Sequence, residues 1–414
     1  VPSSSWKRTL YSVLAGELLS IAGFSTSGPI IPFFLGDLGV TDPVALKLYV
    51  GLIQSLPAIS MAVMAPIWGS LADNYGRKPM LLRAMFGGAV IMVLQGLATS
   101  PWQLLVLRVI QGCLTGTVAA ATVLIASAAP KEEVGYGLGV LQMAIYLGQS
   151  LGPMLGGFVS DAYGHRMNFF VTSGLLLAGG LIVSRWTDDA FVPPANRKSV
   201  LKSLVPDFSS LKGPGSKALW ALLAVVAADM IAGSIASPFL PLFIKEISAD
   251  QARVATNTGL ILGLGALMSA AAAVIVGKFS YRLGYQRVLI VCMLGAAAFT
   301  IPQAFATSPG MLLALRLASC FFIGGNMPAV NALISTHTEG GKQGSVYGLR
   351  STVGSASGAI GPAIGSSIAL GAGYGAVFVA TGAILAATGA SAAIFSRRGP
   401  KDPDPGRLDQ TTNL

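Results

Sequence analysis

Charge is scarce in this sequence. Asp, Glu, Lys and Arg together make up 11% of its 414 residues, while 53% are hydrophobic. That leaves too little polar surface to cover a water-soluble globule of this size. Cysteine is also scarce: Cys113, Cys292 and Cys320 all fall inside apolar runs, an odd and buried set that excludes a disulfide framework. No G-x4-G-K-[ST] phosphate loop, G-x-S-x-G elbow or cluster of metal-ligating residues occurs. The chain is therefore expected to be no enzyme, to use no ATP, and to need no cofactor or metal.

What the sequence has instead is long apolar runs. Twelve are counted, near 9–34, 46–72, 80–99, 102–128, 136–160, 167–186, 218–244, 256–277, 288–306, 309–335, 345–370 and 373–396. Each suffices to cross a hydrocarbon core of roughly 30 Å as a helix. The first run is full length and has no small-residue cleavage site after a short core, so it is expected to remain as a membrane helix. The fold class predicted is all-α integral membrane. Between the sixth and seventh runs, 187–217 is polar and rich in Lys, Pro and Ser; it reads as a cytoplasmic linker with one short amphipathic helix around 199–211. The tail 397–414, with hardly an apolar residue, is expected to be disordered.

A net charge of +10 raises the question of nucleic acid, but its distribution answers it. With the N-terminus placed in the cytoplasm, only Lys47, Arg166, Lys245 and Arg253 fall in outer loops, and only Arg108 and Arg316 are assigned to helix interiors. All other Lys and Arg lie on the inner side. This is the positive-inside bias, so both termini are expected in the cytoplasm, at the inner membrane, with no nucleic-acid partner. The two histidines, His165 and His337, fall on opposite sides of that membrane, which suggests no metal site.

One charged turn organises the chain: Gly69-Ser70-Leu71-Ala72-Asp73-Asn74-Tyr75-Gly76-Arg77-Lys78-Pro79. Its glycines permit tight turns and positive φ, and Pro79 suits the start of a helix. A second copy, Gly277 to Arg287, follows 208 residues later with both glycines in register. Pro101 and Pro309, and Arg108 and Arg316, keep the same spacing; Gly152-Pro153 and Gly361-Pro362, and the prolines that end helices 1 and 7, are 209 apart. A duplication of six helices follows, with halves at 1–186 and 218–396.

The turn resembles the G-x-L-A-D-x-x-G-R-K signature between the second and third helices of the major facilitator superfamily. That resemblance implies two pseudo-symmetric six-helix bundles with a central cavity lined by helices 1, 4, 7 and 10, and alternating access by rocking. It also implies that Gly69, Asp73, Gly76, Arg77 and Lys78 form a cytoplasmic latch. Asp73 would face the start of helix 11, and Arg77 would pair with an acid near the end of helix 4, Glu132 or Glu133. In the second copy Tyr281 and Tyr285 replace the Asp and the Arg, so the latch belongs to the first half.

An unpaired charge at the bilayer centre costs at least about 2.5–3.5 kcal/mol. Glu17, Arg108, Asp229 and Arg316 are the charges expected there, on helices 1, 4, 7 and 10. At about 1.5 Å of rise per residue, Asp229 and Arg316 come within about 3 Å of one depth, whereas Glu17 and Arg108 differ by about 9 Å. Asp229 is therefore expected to face Arg316, as a proton carrier or as one member of a fixed ion pair. Glu17 is expected to lack a counter-ion, which makes it the first candidate for proton coupling or cation binding; the alternative is a Glu hydrogen-bonded to Ser or backbone. It resembles the membrane-embedded acid of several multidrug antiporters. Arg108, in a segment resembling the family's fourth-helix motif, either influences proton transfer or anchors neighbouring helices.

In helix 5, Gly139, Gly148, Gly152, Pro153, Gly156 and Gly157 fit G-x8-G-x3-G-P-x2-G-G. Glycines four apart make a strip along which another helix approaches closely. The resemblance implies an antiporter rather than an importer. Gln54, Gln111, Gln142, Tyr146, Gln149, Asn326 and Asn331 are candidate substrate contacts, each open to the plainer reading of a helix-to-helix hydrogen bond. Taken together, these readings predict a monomeric, proton-driven exporter of drugs or small organic molecules in a lipid bilayer. The competing readings are a proton-coupled importer or facilitator of a polar metabolite, and a receptor or scaffold that has lost transport.

Overall fold

The computed structural model describes residues 3–130, 133–188, 216–337 and 343–398, and every regular element among them is helical. The first half holds α1 (Ser3–Ser27), a 3-10 turn at Gly28–Ile30, α2 (Ile31–Asp37), α3 (Pro43–Tyr75), α4 (Arg77–Gly96), α5 (Pro101–Leu114), α6 (Thr117–Ala128), α7 (Val134–Tyr163) and α8 (Met167–Trp186). The second holds α9 (Ser216–Ala236), α10 (Leu240–Ile247), α11 (Val254–Leu283), α12 (Tyr285–Thr300), α13 (Pro309–His337) and α14 (Gln343–Arg398). Most of the expected linker, with its short helix, and almost all of the expected tail lie outside the described residues.

Ten stretches of described residues are long and apolar enough to cross a membrane. One of them, Leu349–Ile394, is 46 residues long and leaves helical geometry at Gly373 (φ 79°, ψ 177°), so it holds both of the last two expected crossings. The crossing expected at 136–160 is α7, whose 30 residues are long enough but carry many glycines and glutamines. Twelve crossings are thereby accounted for, and the chain is a multi-pass membrane protein. Val90, Trp102, Phe158, Leu181 and Val274, all more than half exposed, would be costly against water but suit hydrocarbon.

Three apolar runs are interrupted, the first and seventh at the prolines that the sequence reading places at helix ends, the fourth where it expects continuous helix. α1 and α2 are separated at Pro29, and α9 and α10 at Pro238; proline has no N–H to continue the ladder. The fourth crossing breaks between α5 and α6 at Thr115-Gly116, where Gly116 has φ +123°. No proline marks this break. It depends on a backbone conformation that glycine adopts readily and other residues avoid.

The helices form two compact units, Val1–Pro206 with Pro238–Gly263, and Asp207–Ser237 with Leu264–Leu414. α10 and the start of α11, which the sequence reading assigns to the second half, group with the first unit. In that unit α1 packs on α7 and α8, α4 on α8, and α3 on α5. The seam of α1 and α7 is made by glycine: Gly148 lies against Ile21 and Ala22, Gly152 against Ala22 and Ser25, and Gly156 against Thr26. A Cβ at any of the three would meet the α1 backbone or the base of its side chains.

Another edge of α7 carries α11. Gly157 abuts Ala255 and Thr256, and Gly259 and Gly263 abut Pro153, Met154 and Ser150. Ser150 Oγ donates to the Gly263 carbonyl (2.8 Å), and Asp161 accepts the Thr256 N–H (2.7 Å). Gly139 does not join either seam. It is exposed, with open space where a Cβ would stand, because nine residues of helix turn it to the face opposite Gly148.

In the second unit α9 packs on α14, and α12 on α13 and α14. The duplication is visible here as repeated contacts. Gly361 meets Ile231 and Ser234, each 209 residues on from Gly152, Ala22 and Ser25. Gln303 donates to Ser319 (3.0 Å) as Gln95 donates to Gln111 (2.9 Å), 208 residues earlier. Replacing Gly156 with Leu is expected to cost about 1–3 kcal/mol by overpacking, read as a lowered Tm of the detergent-purified protein, whereas Gly139→Ala leaves Tm unchanged.

Candidate functional site

Each unit buries one carboxylate of the first pair of candidates in its own way. Glu17, on α1, is fully buried. Thr117, the first residue of α6, donates its hydroxyl to Glu17 Oε2 at 3.2 Å. Oε1 has no hydrogen-bond partner among the described residues, and no ion pair reaches the carboxylate there.

Arg108, on α5, is also buried. Its Nη1 donates to Gln111 Oε1 (3.1 Å), and Gln95 of α4 donates to the same oxygen (2.9 Å). Nε and Nη2 have no partner among the described residues. Gln111 is thus occupied in holding an arginine and a glutamine, and is not a free substrate contact.

In the second unit the expected pair is not formed among the described residues. Asp229, on α9, is buried and accepts a hydrogen bond from Asn326 Nδ2 at 2.7 Å. The cation that attracts it is Arg350 of α14 rather than Arg316. Arg350 also places Nη2 2.9 Å from Met327 Sδ. Arg316 lies ten residues before Asn326 on α13, about 15 Å along a helix axis. The depth estimate fails because it counts from helix ends as if they marked the membrane surface. α13 runs 29 residues, well beyond the roughly 20 that a crossing needs.

Thr117, Gln95 and Arg350 escape the sequence reading. Arg350 falls with the inner-side loops in the sequence reading because it stands near the start of its apolar run. Gln95 has a signal in the sequence, its repeat as Gln303. Thr117 follows the Thr115-Gly116 break and has no independent signal.

Of the other candidate contacts, Gln142, Tyr146 and Gln149 share an exposed face of α7, spaced by about one turn each. Gln54 is half-buried on α3. Asn326 is engaged with Asp229, and Asn331, half-buried on α13, also makes contacts within the protein.

In the charged turn, Gly76 has φ +100°, matched by Gly284 with φ +84° in the second copy. Gly69 is exposed. Lys78 reaches away from the turn: its Nζ donates to the carbonyls of Ser184 (2.8 Å) and Thr187 (2.7 Å) at the C-terminal end of α8. A cation there satisfies orphan carbonyls and complements the helix dipole. Arg77 makes no ion pair with Glu133 among the described residues. Glu132 and the side chain of Asp73 lie outside the described residues.

A sequence model of the Major Facilitator Superfamily matches residues 13–252 and 222–412. The chain belongs to this family. Among its major facilitator relatives are proteins named Multidrug resistance protein MdtG. That of Serratia proteamaculans is 33% identical over 380 residues, covering 91% of each chain. That of Enterobacter lignolyticus is 32% identical over 377 residues, covering 91% of this chain and 89% of the relative. Two solved structures of low identity share the major facilitator fold. A bacterial homologue of the human lysosomal transporter Spinster, inward-facing and occupied, superposes with TM-score 0.76 at 15% identity over 96% of this chain and 98% of its own. The human organic anion transporter MFSD10 superposes with TM-score 0.68 at 19% identity over 95% and 100%.

The geometry separates the arginines by double-mutant cycles of thermal stability. Asp229→Asn with Arg350→Gln is expected to show a coupling of about 0.5–3 kcal/mol. The effects of Asp229→Asn and Arg316→Gln are expected to add.

Proposed function

We propose that this chain is a proton-coupled multidrug exporter that exchanges inward-moving protons for outward-moving organic molecules by alternating access. The observation that carries the reading is Glu17: a fully buried carboxylate on the first helix, with one oxygen unpartnered and no counter-ion among the described residues. The relatives named for multidrug resistance support the direction of transport, as does the glycine seam of α7.

A carboxylate in hydrocarbon loses its charge when it takes a proton, and with the charge goes most of the cost of keeping it away from water. A group of this kind changes the balance between conformations each time it loads or unloads. Asp229 is the second candidate carrier. Its hydrogen bond from Asn326 and the nearby Arg350 compensate its charge, which suits a fixed structural role better. Arg108 and Arg316 supply the positive charge of the proton pathway, and Gln54, Gln142, Tyr146 and Gln149 are the substrate contacts left uncommitted by other bonds.

The protein works as a monomer in the inner membrane, with both termini in the cytoplasm and six helices on each side of a linker at 187–217. The proton gradient drives it without a cofactor, and its partners are small organic molecules, protons and lipid.

Purified protein in liposomes with an internal pH dye, challenged with a panel of drugs, tests this. The wild type is expected to move protons when drug is added, Glu17→Gln to fall to the background of empty liposomes, and Asp229→Asn to retain flux. Flux lost in Asp229→Asn and kept in Glu17→Gln moves the carrier to α9. A wild type that moves no protons with any drug, yet equilibrates a polar metabolite, overturns the antiporter.

A further inference from the structure

The fourth crossing is broken one residue before the only side chain that bonds Glu17 among the described residues, and this juxtaposition bears on where the proton sits. In an unbroken helix the Thr117 N–H would bond the carbonyl of Cys113. Here Trp68 Nε1 donates to that carbonyl at 2.6 Å, and the Trp68 ring is covered by the Arg83 guanidinium, 3.4 Å from the ring centroid. Gly116 supplies the φ of +123° that the break requires, in open space. Thr117 therefore starts a new helix, and its hydroxyl is aimed at α1 rather than absorbed in a continuing crossing.

We infer that Thr117 is a positioning residue for proton coupling: by holding Glu17 Oε2 through its hydroxyl, it directs the proton to Oε1, and the Gly116 break is what puts it there. This rests on the reading of Glu17 as the proton carrier. The step is a proton transfer alone. The proton adds to a lone pair of Oε1, the carboxylate becomes a neutral acid whose carbonyl oxygen is Oε2, and the same O–H bond breaks on release. Oε2 keeps the Thr117 hydrogen bond in both states, since a carbonyl oxygen accepts as a carboxylate oxygen does.

Among the described residues, no other group competes for the carboxylate. The helices packed on this stretch of α1 bring glycine and apolar side chains: Gly179 and Val183 of α8 against Gly16, and Gly148 of α7 against Ile21 and Ala22. Among the described residues, no titratable or charged side chain from α6, α7 or α8 acts on Glu17, and Thr117 makes its single side-chain hydrogen bond.

The test is infrared difference spectroscopy of the reconstituted protein across a pH titration, with drug transport driven by a proton gradient measured on the same samples. The wild type is expected to show a protonated-carboxyl C=O band that is absent in Glu17→Gln. In Thr117→Val that band moves to higher wavenumber, because the carbonyl has lost its hydrogen bond, and returns in Thr117→Ser, which keeps the hydroxyl. Driven transport falls about tenfold or more in Thr117→Val, the scale of one hydrogen bond to a charged group, and recovers in Thr117→Ser. Gly116→Ala, which changes the backbone with no collision, is expected to shift the band as Thr117→Val does. A band that stays in place in Thr117→Val or in Gly116→Ala overturns the assignment while Glu17 stands as the carrier. If Glu17→Gln removes no band, the carrier reading itself fails. A Thr117→Val protein that does not fold leaves the Gly116→Ala band to decide.

Discussion

Inside a bilayer there is no water to complete a hydrogen bond, so every polar group carried into it needs a partner within the protein. The backbone meets that condition by being helical throughout the crossings. Where the ladder is interrupted, a substitute is present or the interruption lies where a donor is missing anyway. Trp68 takes the carbonyl freed at the Gly116 break. Prolines occupy the interruptions of the first and seventh crossings, where a lost N–H costs least.

The same condition sorts the buried charges. Asp229 has a hydrogen bond and a cation near it, and so resembles a structural group. Arg108 is satisfied at one nitrogen by Gln111, which Gln95 steadies in turn. Among the described residues, Glu17 has one carboxylate oxygen bonded by Thr117 and the other left without a partner. An incompletely satisfied charge is expensive to keep and easily changed by one proton, which is a property that suits coupling better than scaffolding.

Close packing follows a related rule. With lipid as apolar as the side chains, helices gain from meeting backbone to backbone, and glycine permits it. Gly148, Gly152 and Gly156 admit α1, while on another edge of the same helix Gly157 meets Ala255 and Thr256 of α11. One short glycine motif thus serves two neighbours. Its first member, Gly139, serves neither.

The membrane class, the twelve crossings, the duplication and the family were all legible in the sequence, because they rest on length, composition and residue spacing, which survive without coordinates. The glycine seam was legible for the same reason, and Glu17 stood out because any acid in an apolar run does. Tertiary structure alone decided the partners. Arg316 and Arg350 are both arginines of the second half, and only the packing of α14 against α9 selects the one whose charge acts on Asp229. Thr117 is an ordinary threonine until Gly116 turns the chain and brings its hydroxyl to Glu17, an arrangement that depends on one backbone angle and on residues a hundred positions apart.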